Sequence, residues 1–159
     1  MKVVYLSLGS NLGDRLGLIR RGVKLLADAG VRNCRISSYY RTKPVDFLAQ
    51  GWFINCVVEA ETELLPLRLL RVCQGVERAL GRRPGVSKGP RLIDIDLLLY
   101  ENAVIRSREL VVPHERLPDR RFALVPLCEL APEVRHPVLN RTVREMLHDT
   151  PDASQVLRL

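Results

Sequence analysis

Strand-like and helix-like runs follow one another in the order strand–helix–strand–strand–helix–strand, and one of the strands is an apolar run carrying two carboxylates. The 159 residues suit one domain with a real core. Together these observations predict an α+β fold of the ferredoxin-like βαββαβ type, the split βαβ arrangement. A single domain over residues 1–159 is expected. It should hold a mostly antiparallel sheet with two helices packed on one face and mobile loops at the site.

Residues 3–8 read as a buried first strand, ending at Leu8-Gly9-Ser10-Asn11-Leu12-Gly13-Asp14. The glycines there permit a tight turn, and Asn11 or Asp14 suits a helix cap. Leu12, Leu16, Ile19, Val23 and Leu26 recur at helical spacing, with Gly30 as the stop. Cys34 to Arg41 reads as a second strand and Phe53 to Glu61 as a third, with a loop at 42–51 around Pro44 between them. Pro66 opens a second helix striped by Leu69, Val72, Val76 and Ala79, and Gly81 closes it. A basic loop, 81–90, leads into the fourth strand, Leu92 to Tyr100.

After the turn at Glu101-Asn102, Val104-Ile105 and Leu110-Val111-Val112 can pair. Phe122 to Leu130 reads as a helix interrupted or shortened by Pro126, and Thr142 to Leu147 as a last short one. Pro151 to Leu159 carries little signal. No internal repeat and no low-complexity linker is evident.

Hydrophobic residues make up 47% and charged residues 27%, an ordinary globular composition. No apolar run has the length of a membrane span, and Met1-Lys2-Val3-Val4-Tyr5-Leu6 is too short for a signal peptide's apolar region. A cytoplasmic protein without membrane contact is expected. Cys34, Cys56, Cys73 and Cys128 lack metal-motif spacing and sit among apolar neighbours, so buried free thiols are expected.

The net charge of +7 allows nucleic acid, a membrane surface or a polyanionic small molecule as partner. The charge is local, however. Arg82, Arg83, Lys88 and Arg91 crowd one Gly/Pro-rich segment, and Arg116, Arg120 and Arg121 crowd another. Aromatics are only 5%, too sparse for an obvious base-stacking platform. Two basic loops beside paired carboxylates fit a triphosphate better than a long polyanion.

Those carboxylates are Asp94 and Asp96, in Leu92-Ile93-Asp94-Ile95-Asp96-Leu97-Leu98-Leu99-Tyr100. Strand side chains alternate faces, so the two acids project together. Like charges placed that way repel, and a buried carboxylate needs a counter-charge or a metal. Oxygen donors of this kind suit Mg²⁺, which completes its shell with water and phosphate oxygens. The alternative is a pair of solvated strand-end acids. The Gly9-Ser10-Asn11 turn is neither GxxxxGK[ST] nor GxGxxG, so side chains and metal would have to hold a nucleotide.

Several segments then stand together: Leu8-Gly9-Ser10-Asn11-Leu12-Gly13-Asp14, Tyr40-Arg41-Thr42-Lys43-Pro44, Phe53-Ile54-Asn55, Gln74-Gly75-Val76-Glu77, Gly89-Pro90-Arg91-Leu92-Ile93-Asp94-Ile95-Asp96-Leu97-Leu98, Val112-Pro113-His114 and Arg120-Arg121-Phe122-Ala123-Leu124-Val125-Pro126-Leu127. Over nearly its whole length the chain resembles the 6-hydroxymethyl-7,8-dihydropterin pyrophosphokinase family of folate biosynthesis. The resemblance implies transfer of pyrophosphate from ATP to the hydroxymethyl group of a reduced pterin, giving AMP and the pterin diphosphate, with Mg²⁺. It implies no nucleic acid partner, and a monomer or weak homodimer is expected.

By the same resemblance, Asp94 and Asp96 hold metal and act in catalysis with Arg82 and Arg91. Gln74, Glu77, Arg91, His114 and Arg120 meet the nucleotide. Phe53 and Phe122 sandwich the pterin, Asn55 reads its edge, and Thr42 and Val45 wall the pocket. Lys88 stands where the family carries an aromatic, and Lys43 where a second proline is common. His136 and His148 match nothing and read as surface residues. Two other functions are weighed: an RNA-binding module, since sheets of this fold can stack bases, and a ligand-binding regulator that has lost transfer.

Overall fold

The computed structural model describes residues 1–43, 51–81 and 92–159. The elements are β1 (Lys2–Ser10), α1 (Arg15–Asp28), β2 (Val31–Ile36), β3 (Tyr40–Thr42), β4 (Phe53–Thr62), α2 (Pro66–Ala79), β5 (Asp94–Tyr100), β6 (Ile105–Arg106), β7 (Val111–Val112), α3 (Arg121–Leu130), α4 (Val143–Asp149) and β8 (Val156–Arg158). Leu117–Asp119 forms a single 3-10 turn before α3. None of the described helices is long and apolar enough to cross a membrane.

The main sheet runs β5-β1-β4-β3-β8, with β2 also paired to β4, and its pairings are antiparallel. β2 and β3 share one side of β4: β2 lies along Val58–Thr62 and β3 along Phe53–Asn55. The expected second strand is therefore split in two. Ser37 and Ser38 cause the break. Ser37 Oγ accepts the Val57 amide at 2.9 Å, and the Ser38 amide and hydroxyl turn away to the Glu129 carboxylate. Side-chain hydrogen bonds displace ladder bonds there.

The local signals place most elements. Asp14 caps α1 through the Gly17 amide. Pro66 occupies the first turn of α2. Gly30 and Gly81 follow these two helices with φ of 96° and 103°, a backbone region that favours glycine. Thr142 and Glu145 form a reciprocal capping box at α4. β6 and β7 pair as the sequence suggests.

The two helices expected on one face, α1 and α2, do share it, and α3 and α4 add cover on the other. Val4, Leu6, Leu8, Ile95 and Leu97 pack against α1 and α2, while Tyr5, Val57, Leu98 and Leu99 pack against α3 and α4. Strands apolar on both faces need two layers of cover. Pro126 neither interrupts nor shortens α3. Burial of Ala123, Leu124, Leu127 and Leu130 in the second core outweighs the one backbone bond that proline removes. The C-terminal stretch forms β8, a three-residue strand with too short a period to read. Finally, Cys56 and Cys73 are buried thiols, but Cys34 is exposed on β2 and Cys128 is half-buried.

Candidate active site

β5 is the end strand of the sheet. Ile95 and Leu97 turn into the α1/α2 core, so Asp94 and Asp96 occupy the alternate positions, on the face of α3. Both are half-buried. Asp96 has cationic neighbours: Arg120 Nη1 lies 3.6 Å from Oδ2, and His114 Nε2 lies 4.0 Å from Oδ1. The acidic pair is thus partly balanced by the protein itself. Arg120 sits at the N-cap of α3, and its guanidinium also covers the Phe122 ring at 5.5 Å.

His114 is oriented from both sides. Its amide donates to the Leu98 carbonyl at 3.0 Å, and its Nδ1 accepts the Arg116 amide at 3.1 Å. The neutral ring therefore carries its hydrogen on Nε2, toward Asp96. Burial pushes His114 below the ordinary imidazole value, Asp96 pulls it up, and Arg120 and Arg116 push it down again.

The acceptor-side residues come from β3, β4 and α3. Ile54 and Cys56 pack into the α1/α2 core, so Phe53 and Asn55 lie on the same face as the two aspartates. The buried Asn55 donates from Nδ2 to Thr42 Oγ1 at 2.6 Å. β1 runs between β4 and β5, and Gly9 pairs with Asn55 on one side and with Asp94 on the other. Two strand spacings put Asn55 and Asp94 about 10 Å apart across the sheet. The turn expected at Gly9 is absent, since Gly9 stands inside β1. A β-carbon there would overlap Asn55 Oδ1 and approach Asn55 Cγ to 3.4 Å. The missing side chain is what lets the carboxamide lie over β1. Gly9 escapes a residue-by-residue reading; its signal is the period of Tyr5, Ser7 and Gly9 along one strand face.

Gln74 and Glu77 lie three apart on α2. Glu77 is buried, and its Oε2 accepts the Ile95 amide at 2.8 Å, between the two aspartates. It covers an amide of the end strand, which otherwise presents open edge groups. Arg121, from the same basic cluster as Arg120, is turned away: its amide donates to Asp152 and its Nε to the Ser154 carbonyl. His136 is not a surface residue. It is buried, and its Nδ1 accepts the Val138 and Leu139 amides. With His114 it borders a cavity of about 130 Å³. His148 is exposed, as expected. Val45, Arg82 and Arg91, with Arg83 and Lys88, lie outside the described residues.

Residues 5–132 match a family model described as 7,8-dihydro-6-hydroxymethylpterin-pyrophosphokinase (HPPK). The 2-amino-4-hydroxy-6-hydroxymethyldihydropteridine pyrophosphokinase of Methylorubrum extorquens is 45% identical over 148 residues, covering 92% of each chain. That of Aquifex aeolicus is 43% identical, covering 91% of this chain and 90% of its own. The folic acid synthesis protein fol1 of Schizosaccharomyces pombe is 40% identical over 159 residues, but this chain spans only 21% of its length. Among solved structures, an HPPK-DHPS crystal structure in complex with substrates has a TM-score of 0.74 at 13% identity, covering 92% of this chain and 43% of that one. At that identity the likeness speaks to the fold.

Proposed function

The chain belongs to the 7,8-dihydro-6-hydroxymethylpterin-pyrophosphokinase family, whose reaction is pyrophosphoryl transfer to a hydroxymethyl dihydropterin in folate biosynthesis, and we propose that the α3 face of its sheet is where it carries that transfer out. The donor is ATP, the acceptor 6-hydroxymethyl-7,8-dihydropterin, and the products AMP and the pterin diphosphate. One observation carries the assignment of the site: Asn55, Gly9 and Asp94 form a row across three strands, which sets an amide able to read a heterocycle one ligand-width from the carboxylates.

Asp94 and Asp96 fit magnesium. They offer hard oxygen donors on one half-buried face, and no group of three or more His, Cys, Asp or Glu side chains able to hold a metal gathers among the described residues. The remaining positions then fall to water and phosphate, the usual manner of magnesium binding beside nucleotides. Bound there, the ion would neutralise charge on the transferring phosphates.

The chain's own residues supply alignment and charge. Phe53 and Phe122 stack on the pterin ring and exclude water. Asn55, oriented by Thr42, offers its carboxamide oxygen to the ring's donors. Arg120 places positive charge beside Asp96, and the His114 Nε2 hydrogen points to the same region. Val45 walls the acceptor pocket, Arg82 and Arg91 grip phosphate, and Gln74 and Glu77 line the nucleotide side. Such a reaction needs two aligned ligands, balanced charge and a dry site more than covalent help. Four free thiols suit a reducing cytoplasm, where the protein would work as a monomer or weak homodimer.

Mixing protein, ATP, Mg²⁺ and the hydroxymethyl pterin and resolving nucleotides by chromatography tests the assignment. AMP should appear in step with pterin diphosphate. ADP in place of AMP, or no turnover, would overturn it.

A further inference from the structure

α3 begins without a cap of its own. Arg120 stands at its N-cap and makes no side-chain capping bond, although the first amides of a helix need acceptors. The acceptor comes from 31 residues away: Asp152 Oδ2 takes the Arg121 amide at 2.8 Å. Asp152 Oδ1 takes the Ser154 amide at 2.9 Å and also the Ser154 hydroxyl. Arg121 Nε closes the loop on the Ser154 carbonyl at 3.1 Å. A carboxylate at this end of a helix is also favoured by the helix dipole.

A few residues further on, the same segment becomes β8. Val156, Leu157 and Arg158 pair with Thr42, Arg41 and Tyr40, and the Leu159 amide donates to the Tyr39 carbonyl at 3.0 Å. β3 is only three residues long and is held between β4 and β8. Thr42, which orients Asn55, lies on it. The first turn of α3 carries Arg120 and Phe122. One short stretch of chain thus fastens both the helix that bears Phe122 and the strand that bears Thr42.

We propose that residues 150–158 act as a strap setting the position of these two walls relative to each other, with Asp152 as a positioning residue for the pterin. Asp152 touches neither ligand in this scheme; it works through Arg121 and the start of α3. The inference rests on the reading that Thr42, Asn55 and Phe122 line the acceptor site.

The test uses the full chain with Asp152→Ala, Asp152→Asn and the milder Ser154→Ala. Hydrogen exchange by mass spectrometry follows peptides covering 39–43 and 120–125, and steady-state kinetics vary pterin and ATP separately. Losing a charge-assisted bond predicts, in Asp152→Ala, about tenfold faster exchange in both peptides and a pterin KM raised about tenfold, with a smaller rise in the ATP KM through Arg120. Asp152→Asn, which keeps one of the two acceptor oxygens, should fall between wild type and Asp152→Ala, and so should Ser154→Ala. Faster exchange confined to 150–159, or an ATP KM rising as much as the pterin KM, would overturn the strap. A wild-type protein that fails to use the pterin would instead remove the substrate assignment, and exchange in the two peptides would still decide the strap.

Discussion

A β-carbon on Gly9 would overlap the carboxamide oxygen of Asn55 and approach its Cγ to 3.4 Å. β1 has no side chain at the position where β4 lays the Asn55 carboxamide across it. Gly9→Ala should therefore push Asn55 off the Thr42 hydroxyl and leave a buried amide unpaired, which costs about 1–3 kcal/mol. Pterin affinity, read by fluorescence titration, should fall about tenfold or more. Binding equal to wild type would show that Asn55 has no part in holding the ring.

Asp96 faces Arg120 and His114. Asp96→Ala should keep the fold, since the residue is half-buried and packs in neither core. Turnover should fall by roughly a hundredfold or more, as when a preorganised charge is removed from a transfer site. AMP release at several magnesium concentrations, with a thermal melt as the fold control, is the measurement. Activity near wild type would remove the metal role.

His136 gives a pH dependence of known sign. Burial holds its imidazole below the ordinary value near 6.5, and Nδ1 is occupied by two amides. The unfolded chain then binds more protons than the folded one between those two values. Stability should be complete above about pH 6.5 and decline as pH falls below it. His136→Asn keeps an acceptor without a titrating group, so its thermal midpoint should change less from pH 7.5 to pH 5.5. An unchanged slope would assign the acid sensitivity elsewhere.

The cysteines should divide by burial. Cys34 is exposed and Cys128 half-buried, while burial pushes the Cys56 and Cys73 thiols up to about 12. Iodoacetamide should label Cys34 first and Cys128 more slowly. Cys56 and Cys73 should react only in denaturant, because the thiolate is the reactive form. Early labelling of Cys56, followed by peptide mapping, would contradict the buried central strand.

The sequence by itself determined the limits of α1 and α2, because Asp14, Pro66 and Gly81 act within a few residues of where they stand. It also determined that Asp94 and Asp96 share a face, since strand alternation is a property of the backbone. Only the tertiary structure decided what surrounds them. Arg120 reaches Asp96 because α3 folds back over the sheet. Gly9 serves as a gap because β4 brings Asn55 alongside it, and Asp152 caps a helix that begins 31 residues earlier. Local capping and periodicity are governed by neighbours in the chain. Charge balance, close approach and distant capping depend on which surfaces the two hydrophobic cores press together, and no short stretch of sequence contains that information.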